Sequence, residues 1–500
     1  MTSPADRALQ PAPKPARRSP WLLAVGSIGA WAIWLAALWV LFYFVTHYRT
    51  ATGDVHYYYW GTRNPHSRGA PLTEYPHAGT WPLNLVFDME PTDPFKFVRA
   101  FAMSCWVLSG LFMLYLWVSG LRRGGSLRGA WVWALFCSCA GPILVARLDL
   151  VPGLLVAFTF ALVGSHPRIA SALLAFATAS KLWPGVLAAA LVGKWNARRT
   201  YARLIWFALS LAGLCWITIS TSGVDRLFSP LNYQDGRGLQ IESVAATPYL
   251  IAAWMHPGQW RIKYMPSKSF EILGPNLDWA ITATNIVMIA TLVLALAAAA
   301  YHFFRGAWND RTSMSLALAV VCLLIVSNKV FSPQYMVWIA PLVCVMCVRR
   351  KATVPALYAV LLILVTAATL VVYPVTYDGL IGPSLKGLPV VMLAIRNSGM
   401  LILTIWAIVL WVLSVRRAHA QDKAVHEVGE STPGVSTPGQ GTGRDSDASV
   451  RDERAADGPL AEGGAKDATK QATTAEPAGS DKAADEAGTP PSTALVQEKS

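Results

Sequence analysis

A chain of 500 residues that is 54% hydrophobic and only 14% charged falls well short of the ~25% charged residues of soluble domains, which excludes an ordinary water-soluble enzyme. Its formal net charge of +13 does not point to nucleic acid either, because no basic stretch is long enough to fold alone. Lys and Arg instead cluster between apolar blocks, as they do in the cytoplasmic loops of membrane proteins.

Residues 1–20 are rich in Pro and Arg and read as a disordered cytoplasmic N-terminus. The first apolar block, 21–45, follows Arg17 and Arg18 and lacks a small-residue cleavage site after it. It reads as a retained signal anchor. Further apolar blocks follow at 101–120, 129–145, 150–164, 201–221, 279–304, 312–327, 334–348, 353–373 and 397–415. A spanning helix needs ~20 apolar residues, and only helices satisfy the backbone of such blocks in lipid. The fold class is therefore all-α, a polytopic transmembrane helical protein.

The stretch 169–193 decides the topology. Lys181 and Pro184 interrupt it: a lysine at mid-membrane is costly and a proline breaks the helical ladder. Read as a broken hairpin with Lys181 at its outer tip, it gives about 12 membrane segments, some short, and cytoplasmic N- and C-termini. Clusters such as Arg122/Arg123/Arg128, Lys194/Arg198/Arg199/Arg203 and Arg349/Arg350/Lys351 then face the cytoplasm, as the positive-inside tendency requires. The membrane domain is 21–417, with extracytoplasmic loops 46–100 and 222–278. The remainder, 418–500, carries 15 acidic and 8 basic residues from Ala420 onward. It has almost no large apolar side chains and reads as a disordered cytoplasmic tail.

The seven cysteines all lie in apolar segments without zinc-ligand spacing and read as small packing residues. On the outer face of this topology sit the residues able to do chemistry. Asp54, in Gly53-Asp54-Val55-His56-Tyr57-Tyr58-Tyr59-Trp60, is either a general base near the membrane surface or a loop acid beside an interfacial aromatic belt. Arg147 and Asp149 form a corner before Pro152, readable as an ion pair stapling two helices or as a phosphate contact with its orienting partner. Lys181 either meets a ligand or snorkels to the interface. Arg237, Gln240 and Glu242 are either ligand contacts or loop-packing residues. Lys329 precedes Ser332-Pro333-Gln334-Tyr335, where a helix start favours anions. His56 is a candidate acceptor-binding group.

Together, Gly53-Asp54-Val55, Arg147-Leu148-Asp149-Leu150-Val151-Pro152, Lys181-Leu182-Trp183-Pro184, Arg237-Gly-Leu-Gln-Ile-Glu-Ser243 and Asn328-Lys329-Val330-Phe331-Ser332-Pro333-Gln334-Tyr335 resemble the polyprenol-dependent, C-type (GT-C) glycosyltransferases. The likeness is greatest to glycosyltransferase family 87 of actinobacteria, and it runs over residues 21–417. The resemblance implies an inverting α-mannosyltransferase of the plasma membrane with an extracytoplasmic active site. It implies a polyprenyl-phosphate sugar donor and a glycolipid or cell-envelope glycan acceptor, with mannose or arabinose as the sugar. Asp54 would be the catalytic base. Arg147, Lys181, Arg237 and Lys329 would hold the donor phosphate. His56, Tyr58, Trp60, Asp149, Gln240, Glu242 and Gln334 would support the site or the acceptor. The reaction so implied needs no metal, with a divalent ion left as an open alternative. A transporter or flippase of a lipid-linked glycan, and a non-catalytic membrane scaffold whose tail recruits partners, are the competing classes; membrane lipids are expected partners and nucleic acid is not.

Overall fold

A computed structural model describes residues 19–47, 52–65, 72–122, 126–235, 237–348, 354–382 and 384–430. The expected disorder of 1–18 and 431–500 lies outside them. The described residues are almost wholly helical. In chain order they form α1 (Pro20–His47), α2 (Gly53–Arg63), α3 (His77–Met89), α4 (Pro94–Arg122), α5 (Arg128–Ala140), α6 (Leu150–Leu162), α7 (Pro167–Ser180), α8 (Arg198–Ser222), α9 (Val224–Asp235) and α10 (Thr247–Met255). A two-stranded antiparallel hairpin, β1 (Arg261–Tyr264) and β2 (Phe270–Leu273), precedes α11 (Leu277–Arg305), α12 (Asp310–Val326), α13 (Met336–Val348), α14 (Ala356–Leu370), α15 (Asp378–Ile381) and α16 (Gly387–Glu430).

Six helices among the described residues are long and apolar enough to cross a membrane: α1, α4, α8, α11, the run Ala356–Val375 through α14, and α16. The shorter apolar helices Leu150–Leu162 and Pro333–Val348 lie beside them. One boundary moves relative to the sequence reading. The last helix runs on to Glu430, beyond the expected tail boundary at 417, because 418–430 continues in Ala, His, Gln and Lys without Gly or Pro to stop it until Gly429. The two regions taken as loops are also structured, holding α2 and α3 in one and α9, α10 and the hairpin in the other.

The core is organised around α13, all of whose residues are buried. A helix apolar on every side belongs in the middle of a bundle. It packs on α5, α6 and α12, and small residues permit the approach: a Cβ on Gly153 would stand 2.5 Å from the Val337 carbonyl oxygen, and one on Gly129 2.7 Å from that of Cys344. The adjoining α12 is started by a reciprocal cap, in which the Asn309 side chain accepts from the Thr312 N–H and the Thr312 hydroxyl accepts from the Asn309 N–H.

The chain does break at Lys181. Its backbone is extended (φ −158°, ψ 136°), ending α7, and a 3-10 segment Trp183–Leu191 follows. This segment returns along α7 to the far end of the bundle. There Trp308 Nε1 and Ser313 Oγ both donate to the Ala190 carbonyl, at 2.9 and 2.7 Å, and the Trp195 N–H donates to Phe303. The reversal brings Lys181 to the end of the bundle where α1, α8 and α12 also finish.

Candidate functional site

The segments that follow α1, α7, α8 and α12, together with the end of the α14 run, enclose a cavity of about 600 Å³. Asp54, Tyr58, Arg147, Lys181, Arg237, Gln240, Glu242 and Gln334 all line it. Residues from five separated sequence motifs therefore share one space.

Asp54 sits in the first turn of α2, just beyond the end of α1. Its Oδ2 meets Arg147 Nη1 at 2.5 Å; the carboxylate side chain is 46% exposed and the arginine 9%. Arg147 Nη2 donates to the Tyr373 hydroxyl at 3.1 Å, and its buried Nε has no hydrogen-bond partner among the described residues. Burial alone would lower the Arg147 pKa, but Asp54 and the surrounding phenol oxygens outweigh it and raise it above the ordinary guanidinium value. The guanidinium is a permanent cation. An Arg147–Asp149 pair, one of the two sequence expectations, is not what forms. Asp149 instead accepts from Lys181 Nζ at 2.5 Å and from Trp338 Nε1 at 2.6 Å. The reason is the chain reversal, which carries Lys181 to the corner at the start of α6.

Lys181 is thereby fixed rather than left to snorkel. Its ammonium lies 5.4 Å from the Trp338 ring and 5.6 Å from that of Tyr75. Trp338 is itself stacked between Tyr335 at 3.8 Å and Trp183 at 4.7 Å. Such aromatic faces stabilise a cation where water is scarce.

The motif Arg237–Ser243 and the motif Asn328–Tyr335 zip together. Gln240 N–H donates to the Lys329 carbonyl at 3.0 Å, Gln240 Oε1 accepts from the Phe331 N–H at 2.8 Å, and Gln240 Nε2 donates to Ser332 Oγ at 3.4 Å. Lys329 Nζ donates to the Arg237 carbonyl at 2.9 Å. Lys329 is not among the residues that line the cavity; it buttresses the loop that presents Arg237. Arg237 donates from Nη2 to the Ser267 carbonyl, and its Nε is buried without a hydrogen-bond partner. It is the lining guanidinium that has no carboxylate partner among the described residues.

Glu242 lines the cavity, but its carboxylate accepts from Arg396 Nη1 at 2.8 Å. The pair is fully buried, and Arg396 also donates to the Glu242 carbonyl while lying 4.1 Å over the Phe331 ring. Two sequence-chosen residues fall elsewhere. His56 Nδ1 donates to the Thr52 carbonyl, and the ring faces a separate cavity of about 330 Å³ with His47 and Arg99. Trp60 is half exposed against Tyr59 and Arg63. In helical α2 both rings point away from the face that carries Asp54, Tyr57 and Tyr58 into the cavity, because 54, 57 and 58 share one side at helical spacing.

Sequence reading missed a ring of phenols: Tyr57, Tyr75, Tyr233, Tyr264, Tyr373 and Tyr377 all line the space. Burial, joined by the charge of Glu74 at Tyr57 and of Asp54 at Tyr58, raises both phenols above their ordinary value. Tyr233 is pushed up to about 12 by burial. They remain neutral hydroxyls able to donate. Glu74 and Lys268 were also missed; Tyr57 donates to Glu74 at 3.1 Å and accepts from Lys268. Among the described residues no group of three or more His, Cys, Asp or Glu is placed to hold a metal ion.

No family model, no curated protein and no solved structure matches the chain. The functional reading is therefore carried by the arrangement of its side chains.

Proposed function

We propose that this protein is a membrane glycosyltransferase of C type, with about 12 membrane segments, cytoplasmic termini and a cavity opening on the extracytoplasmic face. It moves a hexose, mannose by the motif resemblance, from a polyprenyl-phosphate donor to a lipid-linked or cell-envelope glycan. The observation that carries the reading is the cavity itself. It holds Asp54, whose carboxylate is 46% exposed, among Arg147, Lys181 and Arg237, and is walled by phenols.

The chemistry is a single inverting displacement. The acceptor hydroxyl oxygen attacks the anomeric carbon as the bond from that carbon to the phosphate oxygen breaks. Asp54 takes the hydroxyl proton, and polyprenyl phosphate leaves with one more negative charge than the donor carried. Arg237, which has no carboxylate partner among the described residues, is the first partner for the donor phosphate. Arg147 is the second: its permanent positive charge faces the phosphate while Nη1 orients Asp54. Preorganised cations aimed at developing charge are worth most where water is excluded. Lys181, neutralised by Asp149, shapes the wall and field of the site rather than supplying a free charge.

Donor binding tests this directly. A charge-assisted hydrogen bond contributes about 1.5–3 kcal/mol, so Arg237→Met should weaken binding of polyprenyl-phosphate mannose to the purified full chain by about tenfold to a hundredfold. Asp54→Asn should bind the donor at least as tightly as wild type. Equal binding by wild type and Arg237→Met would remove the phosphate from this cavity.

A further inference from the structure

Among the described residues, helix α9 touches the cavity only through Tyr233, and it has two sharply different faces. Val224, Phe228 and Leu231, spaced at helical period, are 53%, 49% and 52% exposed, with Leu227 half-buried beside them. The other face is tied down by polar contacts. Arg226 donates to the Leu72 carbonyl at 3.1 Å, Ser229 to that of Thr73 at 3.2 Å, and Tyr233 to that of Ser267 at 2.7 Å. Asp225 and Asn232 are exposed between the two faces.

We infer that α9 is a membrane-interface helix, seated with Val224, Leu227, Phe228 and Leu231 at the headgroup–acyl boundary of the bilayer on the cavity side. The occupant of its apolar face is lipid because of where the helix starts. It continues α8 directly, through a turn at Gly223 (φ 82°). Of the candidate spans α8 is the one least covered by protein, with 6% of its apolar window buried. Trp216, 70% exposed, lies on α8 about 9 Å before its end at the helical rise per residue, at the level where interfacial aromatics gather. A helix that leaves this lipid-facing span at that depth, with an apolar stripe outward and polar groups inward, meets the description of an interfacial helix. Its inner contacts fall on Leu72 and Thr73, next to the lining residues Glu74 and Tyr75, and on the lining residue Ser267. The bilayer surface thus positions the rim of the cavity.

The test uses the unmodified chain in liposomes doped with a phospholipid carrying a diazirine next to its glycerol backbone, with adducts mapped by mass spectrometry. Adducts should fall on Val224, Phe228 and Leu231, and not on Asp225 or Asn232. Labelling of α8 without any on α9 would overturn the inference. A second measurement places nitroxides at 225, 228, 231 and 232 in a variant without the seven cysteines. Positions 228 and 231 should favour collision with oxygen, and 225 and 232 with a water-soluble nickel chelate. Four positions equally open to the chelate, or 228 and 231 shielded from both reagents as in a protein contact, would contradict it. Neither measurement depends on the transferase reading.

Discussion

Two of the ion pairs at the site make contrasting demands on their residues. Asp54 keeps nearly half of its surface in water while facing a buried guanidinium. Asp54→Asn should therefore lower transfer by about 10²–10⁴-fold, the usual worth of a positioned general base. It should cost only about 1–2 kcal/mol of stability, because one side of the pair is solvated. Glu242 and Arg396 are both buried completely. Either Glu242→Gln or Arg396→Met strands a partner in the interior and should cost about 3–5 kcal/mol, whereas Glu242→Leu with Arg396→Met should recover most of that loss. Thermal unfolding of the four proteins in detergent checks the pattern; additive losses in the double variant would contradict it. At this scale the sequence made the charged motifs visible because charge is rare in apolar chains. Arg396 escaped notice because the last span was drawn from 397, whereas α16 begins at Gly387, although an arginine inside α16 is the kind of residue that marks a function in a membrane helix. The phenols escaped because nothing in a local sequence says that Tyr75, Tyr233 and Tyr373 meet.

At the scale of the helices, packing follows small residues and reversals follow broken ones. Gly153 of α6 lies against the backbone of α13, whereas Gly213, on the exposed α8, has nothing within 4 Å of a built Cβ. Gly153→Ala should destabilise by about 1–3 kcal/mol through overpacking. Gly213→Ala should instead stabilise by about 0.5–1 kcal/mol, the gain expected when alanine replaces glycine in a helix interior. Unfolding midpoints of the two variants moving in the same direction would contradict this account of α6–α13 packing. The reversal at Lys181 was legible from Lys181 and Pro184 together, since each is unfavourable in a continuous span. The small elements were not. Helices α2, α3 and α9 are shorter than a span, and a search for long apolar runs passes over the period of Val224, Phe228 and Leu231.

For the whole molecule, blocks of apolar sequence separated by basic clusters were enough to specify a helical membrane protein. They could not specify which loops meet, because loop convergence is set by how α5, α6, α12 and α13 nest, and that nesting depends on side-chain shape rather than on hydropathy. The convergence has one functional reading that a single assay addresses most directly. With polyprenyl-phosphate mannose and membrane acceptors in proteoliposomes, the wild-type chain should transfer the sugar and release polyprenyl phosphate, and the Asp54→Asn chain, still binding the donor, should not. Undiminished transfer by Asp54→Asn, or movement of the intact donor across the bilayer with no bond broken, would contradict the account.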